Sequence, residues 1–325
     1  MKKLENRFLT RIAVLILSLG YINCNSLKSS APKLDNMGYG QRQLLLRDEG
    51  LSQLSYINIA NPVKNWHTPV PAGRDLQLVG KGLVLIGTAN GYEQRDITNG
   101  RKMFELTSFK GTVSARRLRN GNTLLAVIDW QEKKGLSLIE VNSNGQIQRS
   151  LNYPAFSYVR LVRESAAGTF LITADDVVFE SDTTGAILWR VKLSGVDKPH
   201  SWQALRLKNG QTIVRTGYLK SLQVFSKDGE LQKTITGPEE VHPHFFAGFQ
   251  VLKNGNYVVT NWQGHGDKFG ESGIQLLEFT PGGKLAWSWK QNPANFSSLQ
   301  GVVVLDGMDL SRLHTENDAG VLAPN

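Results

Sequence analysis

The chain has 325 residues, 40% of them hydrophobic and 20% charged, with a formal net charge of +9. That composition is too apolar and aromatic for a disordered chain, and a single cysteine excludes both a disulfide framework and a cysteine-rich zinc module. One short apolar stretch near the N-terminus excludes a polytopic membrane protein.

Lys2, Lys3, Arg7 and Arg11 precede the apolar run Ile12–Leu19, and the only cysteine, Cys24, follows it. A basic region ahead of a short apolar run is the layout of an export signal. The run is too short for a comfortable membrane span. A cysteine just past such a run resembles a bacterial lipoprotein signal, which implies that Cys24 becomes the lipidated first residue. The alternatives are a soluble periplasmic protein with a free cysteine, or an uncleaved anchor. Residues 1–23 are thus expected as the signal and residues 24–42 as a tether of linker composition. The expected location is the cell envelope, membrane-anchored through lipid on Cys24 and facing the periplasm or the exterior. Without residues 1–23, 33 basic side chains stand against 27 acidic ones, with no run of five. No nucleic acid partner is expected.

Three strand-like segments follow, Gln43–Arg47, Leu54–Ile59 and Lys64–His67. A repeat then begins. Asn120-Gly121, Asn209-Gly210 and Asn254-Gly255 each divide two alternating apolar runs, with weaker versions at Lys81-Gly82 and Ala167-Gly168. Asn-Gly in that setting predicts a hairpin with a two-residue type I′ turn. A second hairpin follows each, turning at Gly100, Gly145, Gly185, Gly229 and Gly283. The first-hairpin glycines lie 39 to 47 residues apart. Four short strands in a unit of that length are the signature of a β-propeller blade.

Five units cover Gly73–Pro293, and the ends are each incomplete. Ser297–Leu305 is one strand, and the three N-terminal segments supply the other three. The expectation is an all-β, six-bladed propeller over residues 43–309. A C-terminal innermost strand pairing with three N-terminal strands closes the ring, and residues 310–325 are left as a tail.

The tight turns fall on one face, and the longer connections fall on the other. Loops on a rigid scaffold carry sites. That second face is expected to hold Arg74, Asp75, Asp129, Trp130, Asp175, Asp176, Lys198, Tyr218 and Lys268. The candidate ligand-binding residues are His200, Trp202, Arg215, His242, His244, Trp262, His265 and Asp267. The histidines and Asp267 suit metal ligation or acid/base work, or simply hydrogen bonds to loop backbone. The tryptophans suit a pocket wall or wedge packing between sheets. The acids do not form a calcium loop. Arg116, Arg119, Arg160, Arg163 and Arg206 recur on or beside innermost strands, either as an anion-attracting channel or as partners of acids such as Glu164. No catalytic residue, metal or cofactor is assigned.

Asp96–Phe104 and Val178–Trp189 resemble the outer hairpins of PQQ-like, quinoprotein-type repeats. Those enzymes have eight blades and a longer chain, so the cofactor does not carry over. Arg74–Gly80, Val259–Gly266 and Val304–Asp309 resemble uncharacterised exported bacterial six-bladed propellers, a likeness spanning about Gln43–Asp309. The chain is also more distantly similar to arylsulfotransferase-type propellers, which use an axial histidine; His244 or His200 is the implied counterpart. The leading expectation is a non-catalytic envelope scaffold binding an envelope protein or a small molecule through its loop-rich face. The alternative is a transferase- or hydrolase-type enzyme with axial histidines as acid/base groups or metal ligands.

Overall fold

The computed structural model describes residues 39–195 and 199–325. The expected signal, Cys24, most of the tether and Lys198 lie outside the described residues. Six four-stranded antiparallel sheets form the blades of a six-bladed β-propeller. In five of them four consecutive strands run outward from the axis, A to D. The sixth is composite: Leu299–Val304 is its strand A, and Gln43–Asp48, Gln53–Asn58 and Trp66–Pro69 are B to D.

The register of that closing sheet explains why it forms. Leu44, Leu45 and Leu46 pair with Val304, Val303 and Val302. Successive side chains point to opposite faces. Leu44, Leu46, Val302 and Val304 therefore pack on blade five with Val258 and Leu276. Leu45 and Val303 pack on blade one with Leu78 and Ile86. Both faces are apolar because both are covered. Polar clamps fix the seam: the Asp48 carboxylate accepts from the Ser297 and Ser298 amides at 2.6 and 3.1 Å. Arg42 reaches Glu278 at 2.7 Å and Asp306 at 3.1 Å.

The Asn-Gly turns are hairpins, but not of the expected type. Gly121, Gly210 and Gly255 have φ of 88°, 83° and 85°, while the preceding asparagines are not in the positive-φ region. The Gly121 amide donates to Leu118 and the Leu118 amide to Asn122. This is a three-residue loop, a type I turn ending in a left-handed glycine. Asparagine earns its place differently: the Asn120 side chain accepts from the Asn122 amide at 2.9 Å, an Asx turn repeated at Asn209 and Asn254.

The segment expected as a tail contains a hairpin, His314–Glu316 paired with Leu322–Pro324. It bridges to Val79 and Val251 at the far ends of two innermost strands. Its approach accepts from the Lys81 and Gly82 amides through the Ser311 and Leu310 carbonyls, and the Asp318 carbonyl accepts from the Lys208 amide. The hairpin therefore floors the axis on the tight-turn face. Among the described residues, the face of longer connections carries no comparable extra hairpin.

Candidate functional site

On that face, the residues preceding strands A and following strands B converge on the axis. Trp202 stands just before strand A of blade four, Gln203–Arg206, and Phe245 begins strand A of blade five, Phe245–Val251. Trp262 ends strand B of blade five. Phe245 meets Trp202 and Trp262 edge-on, with centroids at 5.2 and 5.3 Å. These three form a buried aromatic floor with Leu161 and Ala247.

A second, more exposed ring layer lies above. His200 contacts Tyr218 at 5.4 Å, Tyr218 contacts His244 at 6.1 Å, and Tyr158 contacts His200 at 6.1 Å. Tyr158 and Tyr218 are 43% and 42% exposed. Gly217, at φ 56°, makes this stacking possible. A Cβ there would lie 2.7 Å from the Phe245 ring and 3.1 Å from His200 Cβ. Trp262 continues the chain of rings to His265 at 4.8 Å. Glu49, from the closing blade, ties that end down: it accepts from the Trp262 indole at 3.2 Å and contacts His265 Nδ1 at 2.8 Å.

The sequence-predicted residues thus divide. His200, Trp202, His244, Trp262 and His265 share one aromatic network. His242 and Asp267 are exposed and make no side-chain hydrogen bond, ion pair or ring contact among the described residues. His242 caps a short 3-10 turn, Glu239–Val241, in the left-handed region at φ 48°, which separates it from His244 two residues on. His244 Nδ1 lies 3.0 Å from the Trp262 carbonyl. A carbonyl only accepts, so Nδ1 is the donor, and the neutral ring keeps its lone pair on Nε2. Among the described residues no three His, Cys, Asp or Glu side chains gather to hold a metal ion. Asp129 closes its own loop on the Gly135 amide at 2.8 Å, and Asp176 pairs with Lys192 at 3.1 Å. Trp130 stacks on Phe109 at 6.4 Å, and the Lys268 ammonium lies 5.6 Å from the Phe269 ring.

Below the floor runs a narrow axial cavity of about 40 Å³, bounded by Arg47, Arg74, Asp75, Arg163, Trp202 and Glu316. Its acids are saturated with cations. Asp75 pairs with Arg163 at 3.1 Å and Arg116 at 3.5 Å, and accepts from Ser114 at 2.7 Å. Glu316, delivered by the C-terminal hairpin, pairs with Arg116 at 2.7 Å and Arg163 at 3.3 Å. Burial pushes the Glu316 carboxyl up, but Arg116 and Arg163 outweigh it and hold the group below its ordinary value. Arg119 pairs with Glu164 at 3.5 Å, and Arg206 with Glu180. Arg47 instead donates to backbone carbonyls of Gly87 and Pro71 at 2.9 and 2.7 Å, and burial pushes it down to about 10.

Arg215 is the exception. It is fully buried, and none of its three guanidinium nitrogens has a hydrogen-bond partner. Its surroundings are the Phe249 ring, 5.7 Å away, and the charges of Arg163 and Asp75. Burial, reinforced by Arg163, pushes it well below the ordinary arginine value.

Sequence reasoning missed Arg47, Glu316 and the part played by Tyr158. A signal for Glu316 was present. Asn317 to Gly320 is a turn, with the Asn317 side chain accepting from the Ala319 and Val321 amides at 2.9 and 3.1 Å.

No protein-family model matches the sequence, and no curated protein does. Solved structures do. A protein of unknown function from Bacteroides caccae superposes with a TM-score of 0.65 at 23% identity, over 81% of this chain and 98% of that one. A streptogramin B lyase gives 0.55 at 12% identity, over 87% and 90%. A functionally unknown protein from Desulfotomaculum acetoxidans gives 0.50 at 10%, over 81% and 98%. At these identities the likeness carries the propeller fold, which proteins of unknown function and enzymes share.

Proposed function

We propose that this chain is an exported, lipid-anchored propeller that binds a small molecule through the open axial mouth. The observation that carries the reading is the exposed ring layer of Tyr158, His200, Tyr218 and His244 above a buried Trp202–Phe245–Trp262 floor. Rings offer flat contact area at little rotamer cost, and concave, ring-lined mouths with few polar groups suit small ligands.

Ligand-observed NMR with a set of planar fragments tests this. Tyr218→Ala and His244→Ala are expected to weaken mouth-binding fragments roughly tenfold, about 1.4 kcal/mol. Leu188→Ala, at an exposed site on an outermost strand, should change nothing. Equal binding by all three variants and the wild type would sink the reading. For the anchor, Cys24→Ser should move the protein from the membrane to the soluble fraction; unchanged partitioning would count against lipid on Cys24.

A catalytic reading draws on one observation, the Nε2 lone pair of His244 left uncommitted by the Nδ1 contact to Trp262. It would make His244 a general base at the mouth. Turnover of a mouth ligand that His244→Gln abolishes without weakening its binding would favour it.

A further inference from the structure

The mouth carries more positive charge than its acids neutralise. Arg74 lines both the axial cavity and a neighbouring cavity of about 280 Å³ that also reaches Glu49, Thr112 and His265. Its guanidinium lies 5.5 Å from the Trp202 ring and makes no hydrogen bond or ion pair among the described residues; its buried Nε has no partner. Arg160 lies 5.2 Å from the same ring and 3.7 Å from the Tyr158 ring. Its one hydrogen bond is to the Tyr158 hydroxyl, and its buried Nε has no partner either. The two cations feel each other. Burial, with Arg160 adding to it, pushes Arg74 down to about 10, against a smaller opposing effect of Tyr158 and the Glu49 carboxylate.

The nearby carboxylates are already committed. Asp75 is taken by Arg116, Arg163 and Ser114, and Glu49 by His265 and Trp262. Among the described residues at and beside the axis, the six arginines Arg47, Arg74, Arg116, Arg160, Arg163 and Arg215 outnumber the four acids Asp48, Glu49, Asp75 and Glu316. Unpaired buried charge is costly, and like charges around a low-dielectric cleft attract counter-ions strongly. Guanidinium is also the group best shaped to grip an oxyanion.

We propose, resting on the mouth reading above, that the axial mouth recognises a small organic oxyanion. Its carboxylate or sulfonate is held by Arg74 and Arg160, and its flat ring lies against the aromatic rim. The ligand is thus an aromatic or otherwise planar acid, and its neutral counterpart is discriminated against because it leaves two guanidiniums with only the more distant Glu49 to offset them.

Calorimetric titration of the full chain with naphthoate and with naphthamide tests this. The pair shares one ring system and differs in charge. Naphthoate is expected to bind at least tenfold tighter, with affinity falling as salt rises. Arg74→Gln and Arg160→Gln together should erase the preference, while Arg74→Lys, which keeps the charge but loses the planar fork, should retain part of it. Melting of the Gln variants should be unchanged or raised, since each removes an unneutralised charge; if either fails to fold, Arg74→Lys and the salt dependence still decide. Equal affinity for the two compounds would overturn the oxyanion inference and leave the mouth reading standing. Binding of neither at millimolar concentration would overturn both. A naphthoate preference that survives the double substitution would overturn the assignment to Arg74 and Arg160.

Discussion

Arg215 and Asp75 are both buried beside the axis, yet they should respond in opposite ways to loss of charge. Asp75 holds two guanidiniums and a hydroxyl. Asp75→Asn removes the shared counter-charge and is expected to cost about 3–5 kcal/mol, because Arg116 and Arg163 are then left buried with too little compensation. Arg215 holds nothing by a hydrogen bond. Arg215→Met, of similar length and able to pack against Phe249, is expected to be neutral or stabilising by up to about 4 kcal/mol. Paired denaturant melts of the two variants check both signs. A large loss for Arg215→Met would mean that its guanidinium contributes to the fold in a way the contacts do not account for. The two residues also mark what was legible at this scale. The sequence places Arg215 among the candidate ligand-binding residues of the loop-rich face, but its isolation is not visible there, because partners are decided by distant chain. Arg116 finds Glu316 200 residues away, and no local pattern announces such a pair. His242 and His244 show the converse, neighbours in sequence that one left-handed residue parts.

At the scale of elements, the C-terminal hairpin is tied to the axis by titratable groups. Glu316 has its carboxyl held below the ordinary value of 4.5 by Arg116 and Arg163 against the opposing effect of burial. Its stabilisation is present above 4.5 and lost as pH falls through the lower folded value. His314 is lowered below 6.5, by burial first, with Lys253 and Arg312 adding to it against Asp309 and a hydrogen bond to the Arg312 carbonyl. A histidine lowered in the fold gives full stability above 6.5 and loses it as pH falls below that value. Both groups therefore loosen the hairpin in acid. Amide protection over residues 314–323, the exchange rate taken relative to the intrinsic rate at each pH, should fall in two stages on acidification, the first removed by His314→Gln. Protection independent of pH would contradict this. The hairpin was hard to read beforehand because its strands are three residues each and alternate little. The blades were easier. Strands of five or six residues with apolar side chains on both faces, punctuated by Asn-Gly, are distinctive, and the composite sheet followed from the incomplete ends. Only the turn class was misjudged, since an Asx turn and a type I′ turn favour the same two residues.

For the whole molecule, the ring sets a direction. Closure by Gln43–Asp48 on Leu299–Val304 makes the scaffold seamless, and the hairpin packs against strand ends at one end of its axis. At the other end is a ring-lined mouth in which Arg74 and Arg160 make no ion pair among the described residues. The fold is legible in repeat spacing and turn chemistry; which arginines meet acids is decided only once the blades are assembled. The most direct test of the mouth as a binding site for organic acids is a crystal soaked with bromine-labelled naphthoate. The account predicts an anomalous bromine peak in the open mouth, with the carboxylate against the Arg74 guanidinium and the ring beside Trp202 or Tyr218. A peak confined to some other part of the surface, with the mouth bare, would contradict it.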